Sequence, residues 1–230
     1  MIETTVTERV AYVTIDRPRK RNALTSEGLD DLKTAIERLD TPVLCLRGAG
    51  AAFCAGADLA TVAGLDSEDA EEFARRGQQV ATAIENSKAV VVAAIDGAAR
   101  GGGVELTLAC DVRIASPDAT FAETGVQLGL FGAWGGTHRL PEIVGLGNAL
   151  DIALSGQVID VEAARRIGLV SRIVENPEKV AASIAENDPA VLRVVKERVR
   201  DDATPERQDQ REAEAFAGLI ACADLSAYRE

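Results

Sequence analysis

Histidine is almost absent from this chain, with His138 its single example. A zinc centre built on several histidines is thereby excluded, and a Ser-His-Asp triad is hard to place, since no G-x-S-x-G segment occurs either. Lysine is scarce, confined to Lys20, Lys33, Lys88, Lys179 and Lys196, and the net charge is −12. Nucleic acid and anionic membrane surfaces are poor partners for such a chain, because phosphates demand a clustered basic surface. Any anionic ligand must be met by local basic residues. No apolar run approaches membrane-spanning length, and the opening Met1-Ile2-Glu3-Thr4 lacks the basic start of a signal peptide, so a cytoplasmic protein is expected. Cys45, Cys54, Cys110 and Cys222 show no C-x-x-C spacing and fall mostly in apolar surroundings, which predicts reduced core residues.

What is there is a globular α/β pattern. Hydrophobic residues make up 47% of the 230 positions, enough for one sizeable core or a core with a helical appendage. Apolar runs at 10–15, 43–46, 90–95, 112–115 and 170–174 read as strands separated by helical segments, so crossover connections are expected. Between 25 and 39, Leu29, Leu32, Ile36 and Leu39 share one helical face, with Thr25 or Ser26 as the cap. A second helix is expected over 67–85. Beyond Asn176-Pro177 no strand-like run remains, and Pro189 and Pro205 punctuate three amphipathic helical stretches. The expected organisation is therefore a core over 1–175 and a helical region over 176–230 that serves as appendage or oligomer-forming element.

The sharpest signal is Gly101-Gly102-Gly103-Val104-Glu105, which follows the strand-like run Ala89 to Ile95 and the Asp96-Gly97 stop. It places glycine at a helix N-terminus, where unpaired backbone N–H groups and the helix dipole hold an anion or a developing oxyanion. Glu105 is either an ordinary first-turn acid or a carboxyl lodged beside that site. A second small-residue loop, Phe53-Cys54-Ala55-Gly56-Ala57-Asp58-Leu59, follows the strand-like run at 43–46. Two such loops after buried strands are able to aim their N–H groups at one carbonyl oxygen, as enolate chemistry requires. Gly48-Ala49-Gly50-Ala51-Ala52-Phe53 only superficially suggests a dinucleotide loop, because Phe53 takes the place of the third glycine.

These two loops, together with Ala94-Ile95-Asp96-Gly97 before the triple glycine and Ala109-Cys110-Asp111 after it, closely resemble the enoyl-CoA hydratase/isomerase (crotonase) superfamily. Arg17-Pro18-Arg19-Lys20-Arg21-Asn22-Ala23-Leu24 is similar to the family's first CoA-contacting loop, and Leu128 to Leu140 to its glycine-rich segment after the acyl pocket. Ala163-Ala164 through Gly168-Leu169-Val170 match its late helix and strand, so the resemblance covers roughly 8–175. It implies an α/β spiral of β-β-α units with a helical C-terminal region, assembled as a trimer or dimer of trimers. It implies an acyl-CoA thioester as substrate, most simply a 2-enoyl-CoA undergoing hydration, with CoA present only as part of that substrate and no metal. The oxyanion hole falls on the N–H groups of Ala57 and Gly102, and the acid/base role on Glu105. CoA contacts fall on Leu24, Ala55, Asp58 and Leu59, and Arg19, Lys20 and Arg21 are suited to its phosphates.

The pattern breaks at one place that matters. The family's second glutamate aligns with Gly125, which has no side chain to move a proton. Glu123, two residues earlier, would share a face with Gly125 if the segment were extended, and so reach the emptied space. It would otherwise pair with an arginine or face a subunit contact. Isomerisation, hydrolysis or decarboxylation by a single carboxylate, or acyl-CoA binding without turnover, are the alternatives this leaves open. The chain ends at Ala227-Tyr228-Arg229-Glu230, where Tyr228 and Arg229 are expected to replace part of the family's pocket cover.

Overall fold

The computed structural model describes residues 1–223. The chain opens with β1 (Ile2–Val6) folded back antiparallel on β2 (Val10–Ile15), and a glycine-free turn leads to α1 (Ser26–Arg38). Thr25 caps α1 by accepting from the Gly28 N–H, and Leu29, Leu32 and Ile36 face the core. From there the path repeats. β3 (Val43–Gly48) is followed by a short β4 (Ala52–Cys54) and the helices α2 (Leu59–Val62) and α3 (Ser67–Glu85). β5 (Val90–Ile95) is followed by β6 (Ala98–Arg100) and α4 (Gly102–Ala109), and β7 (Val112–Ala115) by β8 (Thr120–Ala122), α5 (Gly136–Val144) and α6 (Leu146–Ser155).

Each repeat adds one strand to each of two sheets, which makes the coil of β-β-α units expected from the resemblance. In the larger sheet β2, β3, β5 and β7 run parallel, with Val43 beside Val90 and Val92 beside Val112. In the smaller sheet β4, β6 and β8 run parallel, and β9 (Ile159–Asp160) closes the edge antiparallel to β8. After α7 (Val161–Arg166) the strand expected at 170–174 shrinks to β10 (Arg172–Ile173), paired with Ile114 and Ala115.

The apolar run of β5 is buried at all positions because both of its faces are covered. Inside, Val91, Ala93 and Ile95 join Leu44, Leu46, Phe53, Leu106 and Phe121 in the main core. Outside, Val90, Val92 and Ala94 meet Val43, Cys45 and Ile114 under Ala181 and Ala185 of α8 (Glu178–Ile184). The last two helices, α9 (Pro189–Val199) and α10 (Pro205–Cys222), bury no residue, and α10 rests chiefly on α9. Cys45, Cys54 and Cys110 are buried free thiols, and burial pushes each up to about 12. Cys222 corrects the core expectation: it is exposed, because α10 covers nothing of the core. Tyr228 and Arg229 lie outside the described residues.

Candidate active site

The local geometry begins with glycine. Gly56 has φ +81°, and a Cβ there would lie 2.7 Å from the Arg100 carbonyl oxygen and 2.8 Å from the Gly102 nitrogen. A Cβ on Gly103 would lie 2.1 Å from the Cys54 carbonyl oxygen. The loop after β4 and the start of α4 therefore meet backbone to backbone, at a separation that only glycine permits. Asn22, fully buried with φ +60°, braces this contact by donating from Nδ2 to the carbonyls of Ala49 and Ala52 at 2.9 and 2.7 Å.

This contact brings Ala57 and Gly102, each with a backbone N–H, into the wall of one cavity of ≈ 250 Å³, which also holds Ala55, Leu59, Glu105, Gly125 and Trp134. Neither N–H donates to any group among the described residues. Trp134, 3% exposed, packs its ring so closely on Gly102 that a Cβ there would come within 2.3 Å, and it meets Phe73 edge-on at 5.9 Å. All eight residues of α4 are buried, and Glu105 is their one charged member.

Glu105 is held from the far side of the cavity. The Trp134 and Gly136 N–H groups donate to Oε1 at 2.8 and 2.7 Å, while Oε2 accepts no hydrogen bond among the described residues. Cβ atoms on Gly132 and Gly136 would lie 2.7 and 2.8 Å from the glutamate side chain, so the glycine-rich segment wraps the carboxyl closely. Burial pushes the carboxyl above its ordinary value, and the two backbone donors and the Arg139 guanidinium oppose this without cancelling it. The chemical product is a carboxyl with one fixed oxygen, one free oxygen and a raised proton affinity beside two unspent N–H donors. Such a group moves protons next to a thioester enolate.

The sequence expectations for Glu123 and for the space at Gly125 need correction. Glu123 does not share a face with Gly125, because Thr124–Leu128 winds into a 3-10 turn rather than continuing the strand. Gly125 lines the cavity with Glu105, whereas Glu123 lines a neighbouring apolar cavity of ≈ 230 Å³ beside Val126, Leu140 and Leu146. Both Glu123 oxygens are buried without a partner among the described residues, and burial, with the Glu105 charge second, pushes the carboxyl up to about 8. The space freed at Gly125 is also not open, since the Leu130 carbonyl oxygen and the Phe131 Cα lie 3.2 Å from where its Cβ would be.

Leu24 is fully buried and forms a bridge with Ala57, so its side chain packs in the core and its backbone sets the loop's register. Asp58 is spent on structure: Oδ1 caps α2 through the Ala60 and Thr61 N–H groups, and Oδ2 pairs with Arg17 at 2.5 Å. The Thr61 N–H and then Arg17 hold its carboxyl below the ordinary range. Arg19, Lys20 and Arg21 lie exposed on a short turn that follows Arg17, with no ion pair among the described residues. Sequence reasoning missed Trp134 and the two donors that fix Glu105, although Gly132 to Gly136 announce a close backbone approach.

A family model described as "Enoyl-CoA hydratase/isomerase" matches residues 5–220. The chain belongs to that family. Crotonyl-CoA hydratase of Syntrophomonas wolfei is 36% identical to it, with 94% of this chain and 88% of that protein covered. Short-chain-enoyl-CoA hydratase of Clostridium acetobutylicum is 37% identical over 83% of this chain and 77% of its own length. The enoyl-CoA hydratase structure from Bacillus anthracis matches with a TM-score of 0.88 and 34% identity, covering 96% of this chain and 91% of that one. A Thermobifida fusca family member solved in complex with acetoacetyl-CoA matches with a TM-score of 0.86 and 26% identity over 96% and 95% of the two chains. Relatives in this family thus bind CoA thioesters, and the present chain shares their α/β fold. Among the described residues no helix is long and apolar enough to cross a membrane.

Proposed function

We propose that the protein hydrates a 2-enoyl-CoA with one carboxylate. The observation that carries this reading is that Ala57, Gly102 and Glu105 line one cavity, with both N–H groups and Glu105 Oε2 unspent among the described residues. The thioester carbonyl oxygen lies between the two N–H groups, which stabilise the enolate as it forms. Glu105 accepts a proton from water as the water oxygen bonds to C3, and the same carboxyl then delivers a proton to C2. One water is thereby added across the double bond, with no net change at Glu105. Glu123 takes no step, because it faces the other cavity.

Arg19, Lys20 and Arg21 offer the CoA phosphates a local cationic turn on an acidic protein. Ala55 and Leu59 border the path from there to the oxyanion hole. Assembly as a trimer or dimer of trimers in the cytoplasm completes the reading. It is supported by the uncovered α10, with Phe216 66% and Ile220 46% exposed, and by the apolar face of α6 at Leu146, Leu150 and Leu154.

A second reading, double-bond isomerisation, is favoured by Gly125 alone, since shifting a proton from C4 to C2 needs only one carboxyl. Mass spectrometry after incubation with enoyl-, β-keto- and malonyl-type CoA thioesters separates these outcomes. Gain of water supports hydration, and an isomer visible by NMR supports the second reading. Loss of carbon dioxide, release of free CoA, or binding without turnover each refutes both. Glu105→Gln should lose roughly 100- to 10,000-fold in kcat, and full turnover by that variant would remove the assigned role.

A further inference from the structure

Outside the cavity, charged side chains that the reaction does not use join the ends of α3 and α4 to α5 and α9. Arg139, 6% exposed, donates from Nε and Nη2 to the two oxygens of Glu85 at 3.2 and 2.6 Å. Arg200, next after α9, reaches Glu85 Oε1 at 3.4 Å and Asp111 Oδ1 at 2.7 Å. Lys196 of α9 meets Asp111 Oδ2 at 2.8 Å. These pairs lead from the C-terminal helices to the underside of the catalytic carboxyl.

Gly135 lies between the two residues whose N–H groups hold Glu105, and its φ is 102°. A Cβ on Gly135 would fall 2.0 Å from Arg139 Nη1, so the guanidinium fills the place where a side chain would stand. Arg139 Nη1 also donates to the Gly135 carbonyl at 3.4 Å and meets His138 Nε2 at 3.1 Å. Arg139 thus contacts the residue that joins the two Glu105 donors.

We propose that Arg139 is a positioning residue for Glu105: anchored by Glu85, it holds the Gly135 turn so that the Trp134 and Gly136 N–H groups stay aimed at Oε1, and through Arg200 it ties that alignment to α9. The inference rests on the reading of Glu105 as the reacting carboxyl. The groups that set the charge around Glu105 are Arg139 from α5 and Glu123 from the segment after β8, with His138, Glu85 and Arg200 behind Arg139.

The test compares the full-length wild type with Arg139→Met, Arg139→Lys, Glu85→Gln and Glu105→Gln, using crotonyl-CoA across the pH range where carboxyls titrate. Arg139→Met should lower kcat roughly 100-fold with KM little changed, as misplacement of a reacting group does. The pH limb belonging to Glu105 should also move upward, because the lost cation no longer favours the carboxylate. Arg139→Lys should restore the limb and only part of kcat, since it keeps the charge and loses the fork. An Arg139→Met protein with wild-type kcat, or with a lower kcat, an unmoved limb and no rescue by Lys, overturns the inference. Should Arg139→Met fail to fold, Glu85→Gln decides: a reduced kcat at unchanged KM supports the anchor, and wild-type kcat refutes it. Full activity in Glu105→Gln would instead sink the underlying reading.

Discussion

Replacing Glu123 with glutamine should flatten the pH dependence of stability. The carboxyl is 8% exposed, neither oxygen has a partner among the described residues, and its folded value lies at about 8 against an ordinary 4.5. The folded state thus binds the proton more tightly than the unfolded chain. Stability is full below the ordinary value and declines as pH rises toward the folded one. Each unit is worth about 1.4 kcal/mol, so the cost reaches about 3 kcal/mol at neutral pH and about 5 kcal/mol once the carboxyl is ionised. Glutamine has no proton to lose. Its buried amide still lacks partners, which costs about 1–3 kcal/mol at every pH. The slope, not the absolute stability, is therefore diagnostic. Urea unfolding at fixed protein concentration, repeated from mildly acidic to mildly alkaline pH, should give a variant that loses less stability with rising pH than the wild type. Parallel curves would refute the reasoning and mean that Glu123 finds a cationic partner in the assembled protein.

Two further outcomes follow from the same geometry. Gly56→Ala pushes a methyl against the Arg100 carbonyl and the Gly102 nitrogen, so it should cost about 1–3 kcal/mol of stability. Because it pries apart the two proposed oxyanion donors, kcat should fall roughly 100-fold; thermal melts and steady-state kinetics check both, and wild-type kcat would show that the donors do not act together. Removing both charges with Arg19→Gln and Lys20→Gln should raise KM for acyl-CoA roughly fivefold at low ionic strength, with kcat unchanged. The difference should fade as salt screens the exposed charges, and a gap that persists at high salt would argue against phosphate contact.

Much of the frame was legible because burial leaves a regular mark. β5 is apolar at every position since it is covered on both faces, and α1 shows its core face through Leu29, Leu32 and Ile36. The Ser67–Glu85 helix and the three helices after residue 176 likewise lie where periodicity and proline place them. The smaller sheet was not legible. Its strands β4, β6 and β8 have three residues each, too short for a period of two to stand out. At the site, the two small-residue loops and the isolated Glu105 carried their own signal, and the family resemblance singled out Ala57 and Gly102 within the loops. Leu24 and Asp58 did not reveal that one is buried against the loop and the other caps a helix and pairs with Arg17, since a residue held by its neighbours has the same letters as a free one.

By itself the sequence determined which backbone segments approach within glycine distance and which single acid lies behind them, because those constraints act through local conformation and residue size. The resemblance to the family, also carried by the sequence, puts Gly125 where the family's second glutamate stands. Only the tertiary structure decided where the remaining carboxyl goes. The 3-10 turn after Glu123 rotates it into another cavity, and the 130–131 backbone closes over Gly125. The same packing hands Glu105 Oε1 to two N–H groups from a segment about thirty residues away, with Arg139 beneath them. Proton affinity and aim depend on burial, neighbouring charge and hydrogen-bond direction, which are properties of contacts between distant parts of the chain.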